Sequence, residues 1–214
     1  MIQIEKSPNA VSLHTRGYNQ QDVQGQLIKD QHSKCYICER KVVTDYQIDH
    51  LHSQANYPNE VEEWDNLLLA CSYCNQKKSD NYDSMINPVH YPIEDWIKQT
   101  IDYERGKAEF EASDHTIPFS LECTIKLLST VFNGTTPARK VREQQFYDYF
   151  CYNMTLFTKA CNQYLEKQSE ENKQLVLAFL KIEAEFLGFK YWIIQSNSLL
   201  AETFIDECKW NRKK

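Results

Sequence analysis

The sequence predicts an α+β protein that is mostly α, with a small metal-stapled core followed by a helical C-terminal region. Three observations carry this. Two Cys-x-x-Cys pairs, Cys35/Cys38 and Cys71/Cys74, stand 32 residues apart, short β-prone runs lie between them, and apolar residues beyond about residue 93 recur at helical spacing. The expected division is 1–85 for the stapled core and 86–214 for the helical region, because the turn-rich stretch Asn87-Pro88-Val89-His90-Tyr91-Pro92 follows a change of composition after Lys78.

Residues 1–18 read as an irregular or short β entry with a turn at Lys6-Ser7-Pro8-Asn9. Val23, Leu27 and Ile28 predict a short helix from Gln20 to about Gln31 that leads into the first cysteine pair. Two Cys-x-x-Cys turns can aim four thiolates at one point, the ligand set of a structural tetrahedral Zn2+. The long gap between the pairs must then be a folded insertion. Inside it, Lys41-Val42-Val43 and Tyr46-Gln47-Ile48, separated by Thr44-Asp45, read as a hairpin.

The second run delivers Asp49 and His50 as neighbours. Successive strand residues face opposite ways, so a bend at the strand end is expected if both serve one site. Asn75 follows the fourth cysteine at the start of a short helix. Oxygen ligands from Asp49 and the Asn75 amide suit Mg2+ or Mn2+ better than zinc. His50 is then free as general base, and Asn66 is expected to tie the loop after Trp64 back to the hairpin. Lys77 and Lys78 are candidate phosphate contacts and equally a solvated helix face. His52 reads as a loop residue. The same residues also fit a zinc module without activity.

The ordered set Cys35-Tyr36-Ile37-Cys38, Asp49-His50, Trp64-Asp65-Asn66-Leu67 and Cys71-Ser72-Tyr73-Cys74-Asn75 resembles the HNH endonuclease superfamily, the ββα-metal nucleases, in the branch stapled by four cysteines. The resemblance covers about a fifth of the chain. It implies His50 as general base, Asp49 and Asn75 as ligands of the catalytic metal, Asn66 as a structural member of the motif, and a recurring lysine at Lys78. Asparagine instead of histidine stands at the third motif position. A wider pattern, adding Ile86-Asn87-Pro88 and Leu127-Leu128 with Asn133-Gly134, resembles the HNH subunits of Septu-type and retron-Septu anti-phage systems. That likeness implies an ABC/SMC-like ATPase partner, a hetero-oligomeric complex and nucleic acid, DNA or RNA, as substrate.

Beyond Pro92, Ile93, Trp96, Ile97 and Ile101 are expected on one helical face, and Tyr103–Thr116 as an exposed hairpin or loop. A helix from about Ser120 to Phe132 should stop at Asn133-Gly134. Thr136-Pro137 is expected to start the next, whose stripe Val141, Phe146, Tyr149, Phe150, Met154, Phe157 and Cys161 reads as core. Helices over 170–187, ending near Gly188, and over Leu199–Trp210 complete the pattern. Cys123, Cys151, Cys161 and Cys208 lack ligand spacing and read as small buried residues.

The 214-residue chain is 42% hydrophobic, enough to fill a core, and carries a net charge of −6. Lys and Arg number 12 against 20 Asp and Glu in 1–138, and 12 against 10 thereafter. Nucleic-acid binders usually show a basic footprint. The only dense clusters, Arg139-Lys140 with Arg142 and Arg212-Lys213-Lys214, are small, so recruitment by a partner is expected. No run is long enough to cross a bilayer. The opening Met1-Ile2-Gln3-Ile4-Glu5-Lys6 has no apolar leader, so reduced cysteines in a cytoplasmic protein are expected rather than disulfides.

Overall fold

The computed structural model describes residues 1–8, 13, 17–113 and 119–210. Asn9, Thr116 and the basic tail Arg212-Lys213-Lys214 lie outside them. Helix α1 (Gln21–Asp30) buries Val23 and Leu27, one turn apart. Its chain reverses through His32 and Ser33, both at positive φ, and enters the first cysteine knuckle.

Strand β1 (Tyr46–His50) pairs antiparallel with β2 (Leu67–Cys71), with Tyr46 opposite Cys71 and His50 opposite Leu67. This corrects the expected local hairpin. Lys41 instead forms an isolated bridge with Lys34, and Val43 is 81% exposed. The wholly buried run Leu67–Cys71 offers β1 a dry partner, while Lys41-Val42-Val43 has only Val42 to bury. Helix α2 (Ser72–Lys78) leaves β2 directly, its first turn capped by Cys71 Sγ accepting from the Cys74 amide.

The helix expected from Ile93 lasts one turn, α3 (Ile93–Trp96), and then becomes β3 (Ile97–Asp102) paired with β4 (Lys107–Ala112). Ile97 and Gln99 are both fully buried, so the period is two and the β-branched Ile97, Thr100 and Ile101 suit a strand. The turn closes at Gly106, at φ +61. Of the two forms expected for Tyr103–Thr116, hairpin or loop, the hairpin is the one found up to Ala112, with the turn before Lys107 and β4 as its second strand.

Helix α4 (Phe119–Asn133) ends as expected at Gly134, φ +80, where a Cβ would also meet the Glu143 carboxylate at 2.5 Å. Helix α5 (Val141–Glu166) begins at Val141 rather than at Thr136-Pro137, because Glu143 turns back to accept from the Lys140 amide at 2.8 Å. Phe146, Phe150, Met154, Phe157 and Cys161 are buried as the stripe predicted, but Val141 and Tyr149 are exposed. Next come α6 (Glu170–Phe179), α7 (Leu187–Gln195) and α8 (Ser198–Phe204). The expected helix over 170–187 therefore stops early, and Gly188 opens a new helix instead of ending one. A Cβ at Gly188 would lie 2.4 Å from the Gln99 amide, so glycine is required for this close approach. The expected final helix is cut short at Phe204 by a single 3-10 turn, Ile205–Cys208. Cys161 and Cys208 are buried, whereas Cys123 and Cys151 are only partly so.

Rings of Phe110, Phe132, Phe146, Phe150, Phe186 and Phe189 interlock, with Phe150 and Phe189 centroids 4.6 Å apart. One hydrophobic core runs from these rings to the cysteine knuckles. Polar ties cross the same boundary. Lys34 Nζ donates to the carbonyls of Ile182 and Ala184 at 2.6 and 2.9 Å, and Glu39 accepts from the Gly188 amide at 2.9 Å. No described helix is long and apolar enough to cross a membrane.

Candidate metal and catalytic site

The four sulfurs of Cys35, Cys38, Cys71 and Cys74 all lie within 4.8 Å of one another and are buried. Cys38 and Cys71 are separated by 4.0 Å. A tetrahedral ion with metal–sulfur bonds of about 2.3 Å sets sulfurs about 3.8 Å apart, so the cluster fits a metal ion such as zinc. Hydrogen bonds from the other three thiols hold Cys71 well below the usual thiol range, while burial pushes Cys38 and Cys74 up. Burial opposes the charge on Arg40, but the neighbouring Cys38 and Cys71 outweigh it and keep the guanidinium charged.

Strand β1 brings Asp49 and His50 to the end of the sheet farthest from Cys71, and the alternation of the strand sends their side chains to different neighbours. Asp49 Oδ2 accepts from the Tyr36 hydroxyl at 2.7 Å, and Oδ1 lies 3.6 Å from Lys78 Nζ. Burial pushes this carboxyl upward, opposed by Lys78 and the Tyr36 hydrogen bond. His50 instead turns toward the loop, with Nε2 3.0 Å from the Val61 carbonyl and Nδ1 3.1 Å from the Gln54 amide nitrogen. The carbonyl requires a proton on Nε2, which leaves Nδ1 as the basic nitrogen. Tyr18 meets the ring edge-on at 4.7 Å. Burial, reinforced by Lys78 and opposed by Val61, lowers the His50 pKa and keeps the ring neutral near pH 7. What joins the two residues is Lys78, which also donates to the His50 carbonyl at 2.7 Å.

Lys78 is thus 1% exposed and committed to Asp49 and His50. A phosphate contact would require its ammonium to leave both partners, so the surface position expected for it is corrected. Lys77 is paired with Glu143. Asn75 sits beside β1, its Nδ2 donating to Gln47 Oε1 at 2.7 Å, which turns its amide oxygen the other way. Gln47 and Asp49 share a face of the strand, so Asn75 and Lys78 address successive positions along it. Asn66 is buried and clasps the loop. Its Oδ1 accepts from the His52 amide at 2.7 Å, and its Nδ2 donates to the carbonyls of His52 and Glu60 at 3.1 and 2.9 Å. His52 itself pairs with Glu60 at 2.6 Å and stacks on Tyr57.

Several supporting residues escaped the sequence reading. Asp83 accepts from the Ser53 amide and hydroxyl at 2.9 and 2.7 Å and from Asn56 at 2.7 Å, pinning the loop after His52. Lys6 lies over the Trp64 ring at 3.9 Å and donates to the Trp64 and Leu67 carbonyls. Only Tyr36 had a signal, its place between two cysteines.

Comparison with known proteins agrees with this geometry. Over 72 residues the chain is 33% identical to the Septu protein PtuB of Bacillus thuringiensis, a stretch spanning 32% of this chain and 28% of that protein. The chain therefore matches less than a third of the relative's length. Residues 35–81 match the HNH endonuclease family, and the matched segment contains the two antiparallel strands, the following helix and the four converging cysteines.

Proposed function

We propose that the protein is a metal-dependent endonuclease that hydrolyses phosphodiester bonds in DNA, or in RNA such as tRNA, as the nuclease of an anti-phage complex with an ABC/SMC-like ATPase. The observation that carries the reading is His50, held at the end of β1 with Nε2 bound to the Val61 carbonyl and Nδ1 left basic. Its lowered pKa suits a general base, a role worth roughly 10²–10⁴-fold in rate.

In this reading Cys35, Cys38, Cys71 and Cys74 hold structural Zn2+. The Asp49 carboxylate and the outward amide oxygen of Asn75 would hold Mg2+ or Mn2+. When bound, that ion polarises the phosphate and stabilises the leaving oxygen. His50 Nδ1 takes the proton of the attacking water, a position now covered by the Gln54 amide at 3.1 Å, so Gln54 yields to or orients that water. Asn66 keeps the loop carrying Val61 closed over the ring. Lys77 becomes a phosphate contact only by leaving Glu143. The segment 1–85 forms the nuclease core and 86–214 the partner-docking region, in a cytoplasmic hetero-oligomeric complex.

A second reading, an inactive zinc module that organises the ATPase, is favoured by the net charge of −6 together with Lys77 and Lys78 both being engaged within the fold. Cleavage of plasmid, single-stranded DNA and tRNA separates the two. The purified chain is assayed with Mg2+ or Mn2+, with and without the ATPase, beside His50→Ala. Cleavage that needs both the divalent ion and His50 is expected. Partner binding without cleavage under every condition would favour the scaffold.

A further inference from the structure

Each cysteine knuckle sends one side chain to the Asp49–His50 dipeptide. Tyr36 lies between Cys35 and Cys38, and its hydroxyl donates to Asp49 Oδ2 at 2.7 Å. Lys78 lies one helical turn beyond Cys74, donates to the His50 carbonyl at 2.7 Å and stands 3.6 Å from Asp49 Oδ1. The two carboxylate oxygens are therefore addressed from the two sides of the sulfur cluster. Both gripping side chains are buried, at 3% and 1% exposure. A lysine is rarely buried in this way unless its charge is paired, and Lys78 sits where the partners it needs are Asp49 and the strand end. Hydrogen bonds that fix the rotation of a ligating carboxylate tune the ion it holds.

We propose that Tyr36 and Lys78 are positioning residues that fix the Asp49 carboxylate and the His50 backbone relative to the sulfur cluster. The cluster then sets the geometry of the oxygen-ligand site as well as the stability of the segment. The inference rests on the endonuclease reading for the nature of the ligand, a hard divalent cation held at Asp49. Its geometric half stands on the contacts alone. Tyr36→Phe keeps the ring and its packing while releasing Oδ2, so it separates the hydroxyl's role from that of the aromatic body.

The test uses the zinc-loaded full chain. Mn2+ binding is titrated by electron paramagnetic resonance, and cleavage is measured in parallel, for Tyr36→Phe, Lys78→Met and, as a marker of the site, Asp49→Asn. Asp49→Asn should abolish Mn2+ binding. Tyr36→Phe should weaken it by about 10–100-fold, and both Tyr36→Phe and Lys78→Met should lower kcat, with the KM for nucleic acid unchanged. Because Lys78→Met empties a buried charge site, Tyr36→Phe is the deciding variant should Lys78→Met not fold. Two outcomes overturn the inference: a Tyr36→Phe protein that binds Mn2+ and turns over as the wild type does, whatever its melting temperature, or a wild type whose Mn2+ binding ignores Asp49→Asn. A wild type that follows the predicted Mn2+ pattern yet cleaves nothing, with the ATPase present as well as without it, would sink the endonuclease reading and leave the positioning role standing.

Discussion

Residues 35–85 add a dense set of directional bonds around a two-stranded sheet to their share of the core, whereas rings packed on rings dominate the core of 119–210. In the first region a cysteine cluster, the Asn66 amide and the Asp83 carboxylate each make several bonds of defined angle. In the second, Phe132 and Phe150 lie 4.9 Å apart in a cluster whose members have no polar atom to aim. Apolar packing tolerates small shifts and volume-conserving changes. A site that must place a base and metal ligands does not tolerate a shift of 1 Å. The contrast teaches that stability and placement are supplied here by different chemistry in neighbouring parts of one core.

The largest way to break that contrast is to remove the metal from the directional half. Cys71→Ser, or chelation of the wild type, should abolish the cooperative melting of the stapled segment, because metal binding at such sites carries about 10–16 kcal/mol. A metal-free protein with an undisturbed melting transition would show that the cluster is not structural. On the packed half, Phe150→Ala should cost about 3–5 kcal/mol, read by urea denaturation, while bound zinc per chain is unchanged in the folded protein. Loss of zinc together with stability would mean that the halves are not separable in this way.

A smaller effect is expected at Asn66→Ala. It strips partners from the His52 amide and the Glu60 carbonyl, so it should cost about 1–3 kcal/mol. Hydrogen exchange should speed up in 51–63 and not in α5, and a uniform change across the chain would contradict the local role. An effect confined to alkaline pH concerns Lys190, which burial lowers to about 8. Unfolded lysine titrates near 10.4, so between about 8 and 10.4 the unfolded chain holds more protons and stability rises with pH, by up to about 1.4 kcal/mol per unit. Lys190→Met should flatten that rise. Lys34, also lowered to about 8 by burial, should leave a residual slope.

How much of this was legible follows from what sequence patterns encode. The two cysteine pairs fix a cluster by spacing alone, and α1, α4 and most of α5 show their faces as period-3.6 stripes. The pairing of β1 with β2 was not legible, since alternation marks a strand without naming its partner, and the true partner begins at Leu67. Helix α7 was missed because Leu187–Gln195 is apolar on nearly every side and buried, which leaves no stripe to detect. Gly188 looked like a helix stop because glycine usually is one, but here it serves close packing on Gln99. At the candidate site, Asp49, His50, Asn66 and Asn75 were named from the order of the motif. The burial of Lys78 was not, because a lysine at the end of a short helix looks like any solvated charge until the fold places Asp49 beside it.

The ties of Lys34 and Glu39 to the chain around 182–188 also govern what a protein chemist could cut. A fragment ending near residue 85 would keep both charges in the knuckle and lose the Ile182 and Ala184 carbonyls and the Gly188 amide that quiet them. Such a fragment would leave the Lys34 ammonium without its carbonyl acceptors and Glu39 with the Met1 ammonium, at 3.1 Å, as its remaining close partner. It would be a poor reagent even though every residue of the motif were present, so an expression strategy for the cysteine-stapled segment has to retain the chain through 182–188 or replace Lys34.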